Sequence, residues 1–285
     1  MNERYAVDPD APCDWRELKL LLDQVGLQTG RFLAQYPTDW ALFLRQHFAE
    51  ASDMDRKRVM ELLARRNKVA LACGEPFRRH LGWPENAKQS KSSSPTAFDD
   101  VVSLTGNTAG LKSLQDVLYE AGKEWPSGVG AHVPMQAAAY ARCAAPLFEL
   151  SSEVVMVDRF FRLRSDSGQW DQRRRRVLEA LLQLAAKNLN FQCLRLVFER
   201  PKTGSSSTHE RAFEDDLELL LGGMRADHFS VDYELRERVG HGRYLFSIHG
   251  GLQYDHGFDE DARNTNHVHW LALPELEPLL KVYGL

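Results

Sequence analysis

Residues 240–259 read GHGRYLFSIHGGLQYDHGFD, and this stretch decides the fold of the C-terminal half. Gly250 and Gly251 separate two runs rich in tyrosine, leucine and phenylalanine, a pattern typical of a β-hairpin. Side chains alternate between the two faces of a strand, so the first strand is expected to place His241 and Arg243 on one side. An imidazole and a guanidinium so placed suit one anionic oxygen group such as a phosphate. The alternative is a pair of surface-exposed residues without a ligand.

The composition is that of a soluble globular protein. The chain has 285 residues, 43% of them hydrophobic and 27% charged, which allows one large domain or two ordinary ones. A net charge of -4 provides no general attraction to nucleic acid or to an anionic membrane, so such binding would need a local patch. The four cysteines lack CxxC spacing, and no apolar run has the length of a membrane span. We therefore expect a cytoplasmic protein with free thiols.

Residues 1–90 are predicted to form a helical domain of unassigned function. Apolar residues recur at helical spacing between Trp15 and Leu27, and a third helix is expected to begin at Ser52 or Asp53. The polar side of this third helix carries a basic run that includes Arg56, Arg58, Arg65 and Arg66. Two interpretations stand, namely a solvated helix face and a face that contacts the phosphates of a nucleic acid.

A Ser/Lys/Pro-rich segment at residues 86–95 has no apolar periodicity, which is typical of a linker. We place the domain boundary there. The prediction is a helical domain over residues 1–90, a linker with one connecting helix over 91–130, and an α/β domain over 131–285. Limited proteolysis is expected to cut first within residues 86–95.

The second half alternates strands and helices. Glu153–Asp158 reads as a buried central strand, and residues 171–188 read as an amphipathic helix. Further strands are expected at residues 194–198, 229–235 and 267–273, so we predict an α/β fold with a mixed sheet flanked by helices. Two residues at the end of the central strand, Asp158 and Arg162, lie where open α/β sheets place their sites.

Three motifs of this half together resemble one family. They are VDRFFR at residues 157–162, HGR at 241–243 and GFD at 257–259. In order and spacing they are similar to the phospholipase-D-like domain found at the C-terminus of MIT-domain cytokinesis proteins and in bacterial relatives. The resemblance covers residues 135–285 and implies a phospholipase-D-like α/β fold; residues 1–90 do not resemble a MIT domain.

The resemblance also implies a site for phosphodiester chemistry. In the wider superfamily a histidine attacks the phosphodiester, a lysine holds the phosphate oxygens and a second histidine protonates the leaving group, without a metal. Here Arg243 stands in place of the lysine and Ile248 in place of an aspartate, so Asp158 is the candidate that orients His241. The second histidine would come from a homodimer or from a nearby residue, for which His256 is the candidate.

Two main functional hypotheses follow, and binding to an acidic membrane surface is a third and weaker one, because the sequence lacks an amphipathic basic helix with bulky aromatic anchors. The first is a metal-independent phosphodiesterase, specifically a nuclease that acts on nucleic acid in bacterial defence against foreign DNA. The second is a non-catalytic module that binds phosphate backbones or partner proteins, with the helical half as an adaptor, as the eukaryotic relatives are understood to bind acidic phospholipid. Neither needs a cofactor. His267 and His269 share a strand face and are metal ligands in type, but with no evident third ligand they are interpreted as structural and no metal is expected.

Overall fold

The computed structural model describes residues 2–65, 69–94, 97–104, 111–119, 130–165, 167–200, 206–224 and 228–285. The chain divides into two compact units, Asn2–Ser127 and Gly128–Leu285. Each unit combines helices with a β-sheet, so the fold class is α/β. Within the described ranges, no helix has both the length and the apolar character needed to cross a membrane.

The N-terminal unit is built on a parallel sheet with the strand order β3-β2-β1-β4. Its strands are β1 (Glu3–Val7), β2 (Arg31–Gln35), β3 (Ala70–Ala72) and β4 (Asp100–Val102). Its helices are α1 (Trp15–Asp23), α2 (Trp40–His47), α3 (Asp53–Arg65), α4 (Trp83–Ser93) and α5 (Leu114–Tyr119).

The prediction that residues 1–90 are all-helical is therefore wrong. The helices that the apolar spacing indicates are present, and α1 begins where the Asp14 carboxylate accepts hydrogen bonds from the backbone amides of Arg16 and Glu17. The strands β1, β2 and β3 were missed because they are only three to five residues long. Apolar runs this short, buried in a parallel sheet, do not show the alternation that separates a strand from a helix.

The predicted linker is also part of the N-terminal unit. Most of residues 86–95 lie in α4, where Asn86 is buried and its amide donates to the backbone oxygens of Arg78 and Leu81. Ser90 is buried too and donates from Oγ to the hydroxyl of Tyr36 over 3.0 Å. Polar side chains satisfied inside the unit explain why a helix with little apolar periodicity is packed and not exposed. Strand β4 likewise places part of the supposed 91–130 linker in the N-terminal sheet.

The C-terminal unit contains a seven-stranded mixed sheet with the order β5-β11-β10-β9-β6-β7-β8. Strands β6, β7 and β8 are parallel, whereas β9 is antiparallel to β6 and continues into antiparallel β10, β11 and β5. The strands are β5 (Gly130–Met135), β6 (Glu153–Val157), β7 (Cys193–Glu199), β8 (Ser230–Arg236), β9 (Arg243–Ser247), β10 (Gly250–Tyr254) and β11 (Asp261–Trp270). The helices are α6 (Ala137–Leu150), α7 (Gln172–Lys187), α8 (Ser206–Gly222) and α9 (Leu273–Tyr283).

This order of strands and helices confirms the prediction of a mixed α/β sheet flanked by helices. The central strand β6 is buried on both faces, as its continuous apolar sequence indicates. One face, with Val155 and Val157, packs in a core with Phe246 of β9 and Tyr283 of α9. Helix α6 packs against β6, β9 and β10 and against α7.

The hairpin of β9 and β10 is present, but its turn differs from the prediction. Ser247 pairs with Gly250, so Ile248 and His249 form the turn and both glycines belong to β10. A Cβ atom on Gly251 would lie 2.6 Å from Cβ of Phe246, across the strand pair. Glycine is thus required at position 251 by close packing and not by the turn.

Candidate functional site

Asp158 follows the end of β6 and is only 3% exposed. Its side chain forms hydrogen bonds with both the loop after β6 and the loop after β10. Its Oδ1 accepts a hydrogen bond of 2.9 Å from the amide of Phe160, and its Oδ2 accepts one of 3.0 Å from the amide of Phe258. A Cβ on Gly257 would lie 3.1 Å from Oδ2, so a glycine beside the carboxylate leaves room for this contact. The GFD motif is therefore held at the end of β6 by the Asp158 side chain.

His241 precedes β9 and is exposed, and its ring contacts an arginine. Its Nε2 lies 3.2 Å from Nη1 of Arg159. A guanidinium is always a donor, so this ring nitrogen accepts the hydrogen bond. In the described part of the chain His241 makes no hydrogen bond to Asp158, whose carboxylate is used by two backbone amides. The structure therefore does not show the contact by which Asp158 is expected to orient the imidazole, and that role stays a prediction.

Arg159 is the residue of this site that the sequence analysis missed. Its guanidinium is fixed on the far side from His241 by Glu199, with N–O distances of 2.7 and 3.0 Å. Glu199 ends β7, the strand next to β6, and also accepts a hydrogen bond from the amide of Val239. The sequence did contain an indication of this residue, because Arg159 directly follows Asp158 at the end of a central strand, where open α/β sheets place their sites.

Arg243, the first residue of β9, completes a cationic group around an exposed ring. Its Nη1 donates to the backbone oxygen of Asp255 over 3.1 Å, while its Nε is buried and has no hydrogen-bond partner among the described residues. The guanidinium carbons of Arg243 and Arg159 lie 6.0 and 5.3 Å from the ring centroid of Phe160, whose side chain is 46% exposed. We call the set Arg159, His241, Arg243 and Phe160 the cationic cluster.

The remaining predicted site residues of this unit are His256 and Arg162, neither of which belongs to the cationic cluster. His256 is exposed, and its backbone N–H and C=O both bond to the side-chain amide of Asn266. Asn266 is buried and donates to the hydroxyl of Tyr140, whose pKa is raised to about 12 by burial. This network positions the turn that contains His256. Among the contacts of the described residues, none joins the imidazole of His256 to that of His241. Arg162 is half-buried on the loop after β6.

The basic run of the N-terminal unit is partly paired with acids of its own helix. Arg56 forms an ion pair with Asp53 and donates to a backbone oxygen at the preceding turn. Arg58 lies 3.5 Å from Asp55, and its guanidinium stacks 4.4 Å from the Trp15 ring centroid. These contacts favour the solvated-face interpretation. Of the other two predicted residues, Arg65 ends α3 but its side chain is not described, and Arg66 lies outside the described residues.

Comparisons with known proteins assign no family. No family model and no curated protein matches the chain. One matching solved structure is that of TrmBL2, an archaeal chromatin protein described as showing a novel mode of DNA binding. The match has 10% sequence identity and a TM-score of 0.29, and covers 84% of this chain and 83% of that chain. At this TM-score the likeness carries no argument about fold or function, so the function is inferred from the residues of the site.

Proposed function

We propose that the C-terminal unit is a phospholipase-D-like domain that binds the phosphodiester backbone of a single-stranded nucleic acid at the cationic cluster. The observation that carries the proposal is that Arg159 and Arg243 both lie over the exposed ring of Phe160, while the His241 ring contacts Arg159. A mixed sheet flanked by helices is also the architecture that the resemblance of the three motifs implies.

The electrostatics of the cluster suit a phosphate. The planar cations of Arg159 and Arg243 match the charge of a phosphodiester. Arg159 is already held by Glu199, and Nη1 of Arg243 donates to backbone oxygens, so a bound phosphate would have to share these guanidinium groups with their present partners. The imidazole of His241 is exposed and adds a third polar group at the same place.

The exposed ring of Phe160 favours a nucleic acid over a lipid headgroup. Proteins that bind single strands combine cations along the backbone with aromatic rings on which bases stack. Phe160 is flanked by Arg159 and Arg243, so one nucleotide would place its base on the ring and its phosphate on the guanidinium groups. The phosphate of a lipid headgroup would also bind the two guanidinium groups, but it has no base to stack on the Phe160 ring.

A second candidate function is metal-independent phosphodiester cleavage with His241 as the nucleophile, the activity of a nuclease in defence. The exposed imidazole beside two arginines favours it. Nucleophilic attack requires a free Nε2, so Arg159 would have to move from the ring to the phosphate. Because Asp158 does not contact the imidazole, no carboxylate activates it in the described structure, and binding is the better-supported proposal.

Binding of fluorescent single-stranded DNA and RNA, followed by anisotropy at several salt concentrations, tests the proposal. Arg243→Ala should weaken binding by about tenfold or more, since a charge-assisted hydrogen bond contributes roughly 1.5–3 kcal/mol. The salt slope should fall by about one for the lost phosphate contact. Arg243→Lys should be milder, and Phe160→Ala should weaken nucleic acid but not inorganic phosphate.

The matched control is Arg263→Ala, which removes an exposed arginine from β11 of the same unit. Its affinity and salt slope should equal those of the wild type. Absence of binding by the wild type, or equal losses in the Arg243 and Arg263 variants, would contradict the proposal.

Cleavage is tested on the same oligonucleotides in the presence of EDTA. If His241 is a nucleophile, products form with chelator present and disappear in His241→Ala, while binding by that variant is weakened only modestly. Intact oligonucleotide after incubation with a wild-type protein that binds it would restrict the function to binding.

A further inference from the structure

A second cluster of polar side chains lies on β11 and at the end of β10. His267 and His269 flank the buried Val268, so both imidazoles lie on the same face of the sheet. The amide of Asp255 donates to the backbone oxygen of His267 over 3.1 Å, which brings its carboxylate to the two rings. The side chains of Asp255, His267 and His269 each offer a ligand atom, and these atoms all lie within 4.8 Å of one another.

The neighbouring strand leaves room for this cluster. Gly130 of β5 pairs with His269, and a Cβ atom at position 130 would lie 2.5 Å from Nε2 of His267. Next to it, His132 pairs with His267, and their ring centroids are 5.0 Å apart. Three histidines and one aspartate thus occupy one small area, and the glycine at position 130 adds no side chain that would crowd them.

The hydrogen bonds within the cluster do not satisfy all of its polar atoms. Nδ1 of His267 lies 3.5 Å from Oδ2 of Asp255, the distance of a loose ion pair. Nδ1 of His269 is buried and has no hydrogen-bond partner among the described residues. A buried polar atom without a partner destabilises the fold, and a bound cation would provide one.

We propose that Asp255, His267 and His269 bind a divalent transition-metal ion, most suitably Zn²⁺. Two imidazole nitrogens and one carboxylate oxygen form a three-residue ligand set that zinc accepts, with a fourth position left for water or another ligand. Tetrahedral zinc with bonds of about 2.0–2.2 Å holds its ligand atoms roughly 3.3 Å apart. The three ligand atoms, within 4.8 Å of one another, would have to approach to that spacing on binding, and His132 lies beside His267 as a further nitrogen donor.

This site is distinct from the cationic cluster, although the two meet at one residue. The backbone oxygen of Asp255 accepts from Arg243, while its carboxylate belongs to the metal site. The proposal does not depend on phosphate binding, because Zn²⁺ binding is measured without any nucleic acid.

Isothermal titration calorimetry of the full chain with ZnCl₂ tests the site, after chelator treatment and dialysis. We expect one equivalent of Zn²⁺ to bind at pH 7.5. Loss of a ligand in Asp255→Asn, His267→Ala or His269→Ala should weaken binding by at least about tenfold. Zn²⁺ should raise the Tm of the wild type and not of these variants.

The control is His249→Ala, which removes an imidazole from the turn between β9 and β10 and should bind Zn²⁺ like the wild type. Asp255 is exposed, so the Asp255→Asn variant should fold normally. Its Zn²⁺ affinity therefore tests the site even if a histidine variant unfolds. A wild type that binds no Zn²⁺ in a saturable manner, or an Asp255→Asn variant that binds as tightly as the wild type, would overturn the proposal and leave an ion pair only.

Discussion

At the residue scale, Asp158 shows how a side chain of a functional motif can be used by the fold itself. The carboxylate is buried and both oxygens accept from backbone amides, those of Phe160 and Phe258. These two bonds hold the loop that carries Arg159 against the loop that follows β10. Asp158 therefore positions the cationic cluster without contacting His241.

Replacing Asp158 with alanine should lower the free energy of unfolding by about 3 kcal/mol, because the buried amide of Phe258 and the partly buried amide of Phe160 lose a charged acceptor. Urea unfolding followed by circular dichroism measures this change. Glu277→Ala, on the exposed side of α9, is the control and should change the stability by less than about 0.5 kcal/mol. If both variants unfold at the same urea concentration, the role of Asp158 in holding the two loops is refuted.

The cysteines provide a second prediction at this scale. Burial raises the pKa of the Cys143 thiol to about 11, and the side chain is only 6% exposed, whereas Cys13 is exposed. Thiolates are the reactive species, so a disulfide reagent at pH 8 should modify Cys13 first and Cys143 last. Mass spectrometry of the peptides from a time course identifies the order, and early modification of Cys143 would contradict the burial of α6.

At the scale of elements, β4 is attached to its surroundings by a carboxylate between two lysines. Asp100 lies 3.0 Å from Lys112 and 3.3 Å from Lys91, which belongs to α4. Burial alone would raise the pKa of Asp100, but the hydrogen bond from Lys112 and the charges of both lysines outweigh it and lower the pKa. The charged carboxylate is thus favoured in the folded protein.

The sign of the pH effect follows from this lowered pKa. The stabilisation is fully present above the unfolded pKa of about 3.9 and is lost as the pH falls through the folded value. Asp100→Asn should therefore be less stable than the wild type at pH 7, and this difference should shrink below about pH 4. Urea unfolding at both pH values measures it; a difference that is unchanged at low pH would show that the charge of Asp100 is not its cause.

At the scale of the whole molecule, the chain consists of two α/β units with separate sheets and cores. Every strand of the seven-stranded sheet comes from residues 130–270, and both sites proposed above lie within that unit. The C-terminal unit thus contains the complete set of elements needed for its own core.

Residues 128–285 expressed alone should therefore fold and unfold cooperatively in urea, and should bind Zn²⁺ with the affinity of the full chain. A fragment that begins at residue 153 lacks β5 and α6, exposes β11 and loses the cover of β6, so it should not fold. Non-cooperative unfolding of the 128–285 fragment would contradict the division into units.

The sequence by itself determined the architecture of the C-terminal unit. The apolar run of β6, the amphipathic α7 and the hairpin residues each carry a local signal, because burial of these elements follows the periodicity of their own residues. The N-terminal sheet has no such signal, because strands as short as Ala70–Ala72 are recognised only by the strands with which they pair.

The sites were decided by the tertiary structure. Arg159 and His241 are 82 positions apart, and Asp255 lies 12 positions before the first histidine of its cluster. Which side chains meet across a sheet depends on strand order and register, since a slip of one residue turns every side chain to the opposite face. The sequence therefore indicated most of the residues that carry chemistry, although not Arg159. The pairing of β6 with β9 and of β10 with β11 determined which of them lie together.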